Sequence, residues 1–500
     1  MNFKSILLVP FLVFSLLSCG EDPKTFDTDF DGLYDPIDPN PSSNLYNCKF
    51  CSIQTGKESG EVQFVMDYRD FLFNKNPSFN SNVAQIGSML TLDTYQMFEK
   101  TVIINDTYTN EDSDVFPLYG QFGLTNAEYH STSREDSYDN CAVYLGNHKI
   151  YNGGKKAQVF VATVRGYETL NAWTSNLDFG ANTEEYFDVF GQNDEWINRK
   201  NHKGFDVSAR RLYPIIKDYI NRFKDPNLET YFYCFGQSRG AALTNILGTL
   251  FKDNDSNIKS AFYCFNPPRT VEESDATALE KYNNILNVIC DEDLISEVPL
   301  KNWGFSFYGI NYHFSHKDHI EYFESISGET FDYMSPNLIN SILSCLSGIA
   351  PSRDALFSFR KPNILIPEMF GPFNNLEEAN SKKYEIEHFT DDYISKNSIK
   401  AEAKTNLLSS IYVQYYTRPC IIIGLIDAIL EETPTILSVD IEFIKNKFEQ
   451  YKTYLSRYVV DLLPLVQTLD EESIDVETLF MKFYLPHAPL STAIDSKFAK

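Results

Sequence analysis

The sequence predicts an α/β protein with a mostly parallel sheet and flanking helices, extended by a helical insertion and a helical C-terminal region. The first observation is a series of short apolar or aromatic runs typical of buried strands, at 159–164, 230–235, 261–265 and 285–290. The second is residues 205–223, where apolar side chains recur at helical spacing. Strands that alternate with helices indicate a parallel sheet, because a parallel crossover usually contains a helix.

Further helices are predicted from the same spacing. An early helix at 82–100 is expected to back the sheet, and a helix at 241–251 directly follows the strand at 230–235. Helical segments are also predicted at 337–349 and 375–383 in the insertion, and at 437–463 and 470–483 near the C-terminus.

The chain length favours several compact regions, because 500 residues exceed what one hydrophobic core usually supports. The predicted division is 1–18 as a signal peptide, 19–60 as an acidic tether, 61–400 as the main domain with an insertion at about 330–380, and 401–500 as a helical C-terminal region. No chemistry is assigned to the C-terminal region.

The charge balance argues against a nucleic-acid partner. Asp and Glu number 69 against 43 Lys and Arg, so the formal charge is −26, and no run of basic residues interrupts it. Binding to phosphates needs a basic face, which this composition does not provide.

The N-terminus predicts export and attachment to a membrane. Lys4 precedes an apolar stretch at 6–17, which is shorter than the roughly 20 residues of a membrane-spanning helix. Leu16 to Gly20 resembles a bacterial lipobox, which implies cleavage before Cys19 and acylation of its thiol. The expected location is therefore the bacterial cell envelope, with a lipid anchor. Disulfides are permitted there, and Cys48 and Cys51 are expected to form a local disulfide or a labile pair.

An acidic loop beside the tether has the spacing of a calcium site. Residues 27–38 place oxygen ligands at loop positions 1, 3, 5, 9 and 12 and a glycine at position 6. The loop resembles thrombospondin type 3 and EF-hand-like calcium loops, although position 12 is Asp instead of Glu. An acidic, proline-rich linker is the alternative. The candidate ligands are Asp27, Asp29, Asp31, the Leu33 carbonyl, Asp35 and Asp38, with a structural role for Ca²⁺.

The strongest chemical signal is Gly236-Gln237-Ser238-Arg239-Gly240, placed between a predicted strand and a predicted helix. A strand, GxSxG and a helix are the context of a nucleophile elbow, in which glycines permit the tight turn that exposes the serine hydroxyl. The helix N-terminus then presents backbone N–H groups to a developing oxyanion. Ser238 is therefore the candidate nucleophile, and the Arg239 amide is a candidate oxyanion-hole donor.

The surrounding segments resemble the class 3 lipase family of α/β-hydrolases, and particularly its bacterial members, over residues 157–320. Arg165-Gly166-Tyr167 is similar to the turn that presents a second oxyanion-hole amide, which implies Tyr167. The loop at 293–299 is similar to the family's acid loop. The chain departs from the family at Gln237, where histidine is usual. The resemblance makes 61–400 the catalytic domain, with the insertion as a lid, an acyl-binding cap or an added scaffold.

The resemblance implies a triad in the order Ser, Asp, His. It favours Asp293 as the acid, with Asp291 as the alternative two residues away. The base is assigned to His388, whose segment resembles the family's H-x-x-x-x-Y, with His319 as the alternative. The expected activity is hydrolysis of carboxylic esters without a cofactor for catalysis, and the resemblance implies lipid esters such as triacylglycerol. A catalytically inactive surface lipoprotein that keeps the fold is the rival function.

The calcium loop can be tested by calorimetry. We expect titration of the purified protein with CaCl₂ to release or absorb heat that saturates, because the carboxylates of residues 27–38 would exchange water for the cation. A titration without heat of binding would contradict the prediction of a metal site.

Overall fold

The computed structural model describes part of the chain. The described residues are 43–51, 58–96, 107–109, 119–120, 122–131, 141–151, 156–165, 201–272, 281–328, 330–349, 468, 472, 482–483 and 485–500. The signal peptide, Cys19, the acidic loop and the predicted helices at 375–383 and 437–463 lie outside them.

The main architecture is a mixed sheet of eight strands with helices on both faces. From one edge to the other, its strands are β12 (Ile310–Phe314), β10 (Ile285–Cys290), β8 (Lys259–Phe265), β7 (Glu229–Gln237), β6 (Ala157–Arg165), β5 (Ala142–Ile150), β4 (Thr125–Ser131) and β3 (Thr107–Thr109). The five strands from β6 to β12 along this order run parallel, and β5, β4 and β3 continue the sheet antiparallel.

Two short antiparallel pairs accompany this sheet, β1 (Leu45–Cys51) with β2 (Glu58–Val65) and β9 (Val271–Glu272) with β11 (Phe305–Ser306). The described α-helices are α1 (Ser81–Gln96), α2 (Lys203–Phe223), α3 (Arg239–Asn254), α4 (Ile320–Ser327), α5 (Pro336–Ile349) and α6 (Pro489–Asp495). None of the helices within the described ranges is long and apolar enough to cross a membrane. The predicted fold class is confirmed, an α/β sheet with flanking helices.

The sheet separates two hydrophobic layers, as β7 illustrates. Successive side chains of a strand point to opposite faces. Tyr233 and Phe235 therefore join the layer that contains α1, whereas Phe232 and Cys234 join the layer that contains α2 and α3. A central strand that is buried on both faces needs a continuous apolar run, which explains the aromatic sequence of β7.

The structure places the last residues of the predicted helical C-terminal region, 401–500, against the core of the main domain. Leu485, Leu490 and Ile494 are buried in the same core layer as α1, and α6 packs directly on α1. Beyond α6, Lys500 exchanges two backbone hydrogen bonds with His313 of β12. The C-terminal segment 485–500 is thus an integral part of the domain that contains the eight-stranded sheet.

The tether boundary also differs from the prediction. Strand β1 lies within the predicted tether at 19–60, yet it pairs with β2 along its whole length. Val62 and Phe64 of β2 are buried in the core layer of α1. The domain therefore begins before residue 60, because these strands cover apolar surface that a tether would leave in water.

A buried imidazole–carboxylate pair joins the C-terminal segment to the sheet. His316 Nδ1 lies 2.5 Å from Asp495 Oδ2, and both side chains are fully buried. The Glu292 carboxylate accepts a hydrogen bond from the His316 backbone N–H at 3.0 Å, which fixes the loop that carries the imidazole. Polar groups at this depth need partners, because burial removes their hydrogen bonds to water.

We expect His316→Leu to lower the free energy of unfolding by about 3–5 kcal/mol, because it leaves the Asp495 carboxyl buried without its partner. Denaturant titration followed by circular dichroism measures the loss. His130→Leu is the matched control, since its partner Glu128 keeps two hydrogen bonds from Arg222. Equal losses in the two variants would contradict a special role for the buried pair.

Candidate active site

Ser238 lies at the sharp turn that the motif predicts. Strand β7 ends at Gln237 and helix α3 begins at Arg239, so Ser238 alone connects them. Its backbone has φ 59° and ψ −129°, a conformation that residues with a side chain rarely adopt. The Ser238 N–H donates to the Phe265 carbonyl of β8 at 3.0 Å, which ties the turn to the neighbouring strand.

Two glycines make this turn sterically possible. A Cβ atom at Gly236 would lie 2.4 Å from the Gly240 carbonyl oxygen, and one at Gly240 would lie 2.3 Å from the Val164 carbonyl oxygen. Both approaches are to backbone, which cannot move aside as a flexible side chain can. The predicted roles of these glycines thus have a specific cause, the close packing of α3 against β6 and β7.

The imidazole of His487 lies between Ser238 and Asp293. His487 Nε2 is 2.7 Å from Ser238 Oγ, and His487 Nδ1 is 2.7 Å from Asp293 Oδ2. The Asp293 side chain is fully buried, while that of His487 is 14 % exposed. The three side chains form a continuous line of hydrogen bonds from a buried carboxylate to a hydroxyl at the sheet edge.

Asp293 is oriented by the turn that it begins. It follows β10, and its Oδ1 accepts the Ile295 N–H at 2.8 Å as the N-cap of a 3₁₀ turn at Leu294–Glu297. This bond leaves Oδ2 for His487. The alternative acid, Asp291, instead contacts His313 at 2.8 Å, and both of these side chains are about half exposed. The structure brings together Ser238 and Asp293, and it places Asp291 elsewhere.

The histidine at this position is not the one expected from the sequence. His388 lies outside the described residues, and the alternative His319 stacks on Phe498 with ring centroids 3.8 Å apart. The contact with Ser238 belongs to His487 instead. A weak signal existed in the sequence, because His487 lies between Pro486 and Pro489 and is followed by apolar residues.

Arg239 is the first residue of α3, so its backbone N–H lies in the first turn, beside Ser238. Its side chain is buried and donates to Ser208 Oγ of α2 at 2.7 Å. The amide therefore has a fixed position beside Ser238, as an oxyanion-hole donor requires. The second expected donor, Tyr167, lies outside the described residues.

Thiols near the elbow do not compete with the serine. Cys234, Cys264 and Cys290 are buried and free of disulfides, as is Cys141. Burial raises the pKa of Cys234 to about 12 and raises the pKa of Cys290 well above its usual value. Since the thiolate is the nucleophilic form, these residues are unreactive at neutral pH.

The described residues contain no group of three or more His, Cys, Asp or Glu side chains arranged to hold a metal. The candidate calcium ligands Asp27, Asp29, Asp31, Leu33, Asp35 and Asp38 and the lipidation candidate Cys19 are outside the described ranges. The calcium site and the anchor therefore stay predictions.

The family model for lipase (class 3) matches residues 161–303. The matched region contains the elbow and Asp293 and ends before His487. The match supports, at the level of the family, a hydrolase of carboxylic esters. No curated protein matches the chain in a sequence comparison.

Among solved structures, lipase II from Rhizopus niveus is 15% identical, with a TM-score of 0.27, over 37% of this chain. The match covers 66% of that enzyme, slightly less than two thirds. A mono- and diacylglycerol lipase from Aspergillus oryzae is 17% identical, with a TM-score of 0.34, over 47% of this chain and 80% of that one. A lipase from Yarrowia lipolytica is 14% identical, with a TM-score of 0.34, over 48% and 82%.

Proposed function

We propose that the protein is a serine hydrolase of carboxylic esters, and specifically a lipase that cleaves lipid esters. The observation that carries the proposal is the line of hydrogen bonds from Ser238 through His487 to Asp293, with both distances at 2.7 Å. A hydroxyl, an imidazole and a buried carboxylate in this order are the parts of an activated nucleophile. The class 3 lipase match over residues 161–303 supports the same reaction class.

In the proposed first half-reaction, Ser238 Oγ attacks the acyl carbon while His487 Nε2 accepts the hydroxyl proton. Asp293 keeps Nδ1 protonated and stabilises the imidazolium that forms. The negative charge on the former carbonyl oxygen would be stabilised by the Arg239 amide, with Tyr167 as the expected second donor. Collapse of this intermediate breaks the ester C–O bond, and His487 returns its proton to the leaving alcohol.

The second half-reaction removes the acyl group from the serine. His487, now neutral, takes a proton from water, and the oxygen of that water attacks the acyl carbon. Collapse releases the carboxylic acid and returns the proton to Ser238 Oγ. No electron transfer occurs and every proton is accounted for by His487, so this chemistry requires no cofactor.

The proposed setting is the bacterial cell envelope. Acylation of Cys19 would hold the enzyme at a membrane surface, since each buried CH₂ of an acyl chain contributes about 0.8 kcal/mol. Calcium at residues 27–38 would stiffen the tether between that anchor and the domain. A lipid ester in or near the membrane is therefore the proposed substrate, with triacylglycerol favoured by the family.

Labelling with a fluorophosphonate tests the nucleophile. We expect stoichiometric phosphonylation of the purified protein at Ser238, located by peptide mapping, because an activated serine attacks phosphorus as it attacks an acyl carbon. Ser238→Ala should abolish both labelling and p-nitrophenyl ester turnover and leave the melting temperature unchanged. A folded wild-type protein without an adduct would favour the inactive binding lipoprotein.

A comparison of three histidines tests the base. We expect His487→Ala to lower kcat for p-nitrophenyl esters by about 10⁴- to 10⁶-fold, since removing one member of such a triad removes most of its effect. His319→Ala and His388→Ala should retain kcat within about 3-fold in the same assay. Loss of activity in His388→Ala with full activity in His487→Ala would return the role to His388.

A further inference from the structure

Two buried amide side chains hold the backbone on both sides of the proposed base. Gln237 Nε2 donates to the carbonyl oxygen of His487 at 2.5 Å. Asn266 Nδ2 donates to the carbonyl oxygen of Pro486 at 3.3 Å. Gln237 is 2 % exposed and Asn266 is fully buried. Consecutive carbonyl groups of the segment 485–488, here termed the His487 loop, are thus bound by the last residue of β7 and by the residue that follows β8.

We propose that Gln237 and Asn266, here termed the amide pair, are positioning residues that set the imidazole of His487 against Ser238. The inference rests on the proposed function, because it assigns to the amide pair a role in the same reaction. Neither side chain touches the reacting atoms, so both act through the backbone of the His487 loop.

The composition of that loop explains why carbonyl groups are its points of attachment. Pro486 and Pro489 flank His487 and have no N–H to donate. The Ala488 N–H donates to the Leu485 carbonyl within the loop itself, at 3.3 Å. Because the loop has few N–H groups to donate, its carbonyl oxygens are the groups through which other elements can hold it. The side-chain amides of Gln and Asn supply the N–H donors that these oxygens need.

Asn266 connects the loop to the strand that leads to the acid. Its Oδ1 accepts the Cys290 N–H of β10 at 2.8 Å, and its Nδ2 also donates to Thr492 Oγ1 of α6 at 3.1 Å. Asp293 follows Cys290 by three residues, so one side chain contacts the supports of both acid and base. Asn266 has φ 48°, a left-handed conformation that Asn and Asp tolerate better than most residues.

Gln237 occupies the position directly before the nucleophile, where the resembling family usually has histidine. The backbone of Gln237 ends strand β7 directly before the elbow, and its side chain contacts the His487 loop. Histidine and glutamine can each donate one N–H to a carbonyl oxygen. This shared ability predicts that Gln237→His keeps the function that Gln237→Leu loses.

The full-length protein and four variants test the amide pair. We expect Gln237→Leu and Asn266→Asp to lower kcat about 10- to 100-fold with KM nearly unchanged, because displacement of a catalytic group by about 1 Å can cost 10²-fold in rate. Gln237→His should restore most of kcat. The rate of fluorophosphonate labelling at Ser238 should fall and recover in parallel.

Gln158→Leu is the matched control. Gln158 is also buried in a central strand and donates to a backbone carbonyl, that of Phe223 at 3.0 Å, but at the opposite end of β6 from the elbow. It should keep kcat per folded molecule. An equal loss of kcat in Gln158→Leu would overturn the proposal, because the effect would then be general to buried glutamines. A kcat within about 2-fold of wild type in both Gln237→Leu and Asn266→Asp would also overturn it.

Proton NMR separates failure of this proposal from failure of the proposed function. An imidazole N–H that donates to a carboxylate resonates far downfield, and His487→Ala assigns the signal without any substrate. We expect the signal in wild type and Gln237→His and its loss or shift in Gln237→Leu. An inactive wild-type protein would refute the proposed hydrolase alone, whereas an unchanged signal in Gln237→Leu would refute positioning by the amide pair. If Gln237→Leu fails to fold, the same two measurements, kcat and the downfield proton signal, are made on Asn266→Asp and decide the question.

Discussion

The hydrogen bonds of His487 are the constraint on which the rest of the site depends. They join Ser238 and Asp293, at the ends of two parallel strands, to a residue 249 positions after the serine. The donor–acceptor distance of an effective hydrogen bond varies by only a few tenths of an ångström. The sheet supplies two of the three groups with this precision, since β7 and β10 end at the same edge. The third group must be brought to that edge by a segment that belongs to no strand of the sheet.

The structure brings together those predicted site residues, Ser238 and Asp293, whose geometry is determined by neighbouring residues. The GxSxG turn lies between a strand and a helix because its glycines permit the approach of α3 to β6 and β7. Asp293 likewise lies only three residues after the end of its strand and caps its own turn. Position along the chain was enough to find both residues, because strand ends coincide with the site in a parallel sheet.

The sequence did not point to His487 as the proposed base, because the position of this residue is determined by tertiary contacts. His388 was chosen by a local likeness of sequence, whereas the position of His487 depends on burial of Leu490 and Ile494 against α1 and on bonds from Gln237 and Asn266. None of these partners lies within 200 residues of His487 in the sequence except its own helix. Hydrophobic periodicity indicates that such a segment is apolar on one face, but it does not indicate which surface of the protein that face covers. The same limitation applies to the predicted helical C-terminal region at 401–500, because no local pattern indicates where its last residues pack.

Apolar burial and hydrogen bonding have different consequences for this segment. Burial of Leu490 and Ile494 stabilises its attachment, yet the hydrophobic effect is non-directional and tolerates small displacements along α1. The polar contacts are directional: Ser496 Oγ lies 3.1 Å from Ser88 Oγ, and Asp495 meets His316 in the buried interior. A displaced segment would leave these groups buried without partners, which costs more than the loss of a few apolar contacts. The polar groups therefore select one register of the segment, and that register is the one that brings the imidazole of His487 to Ser238.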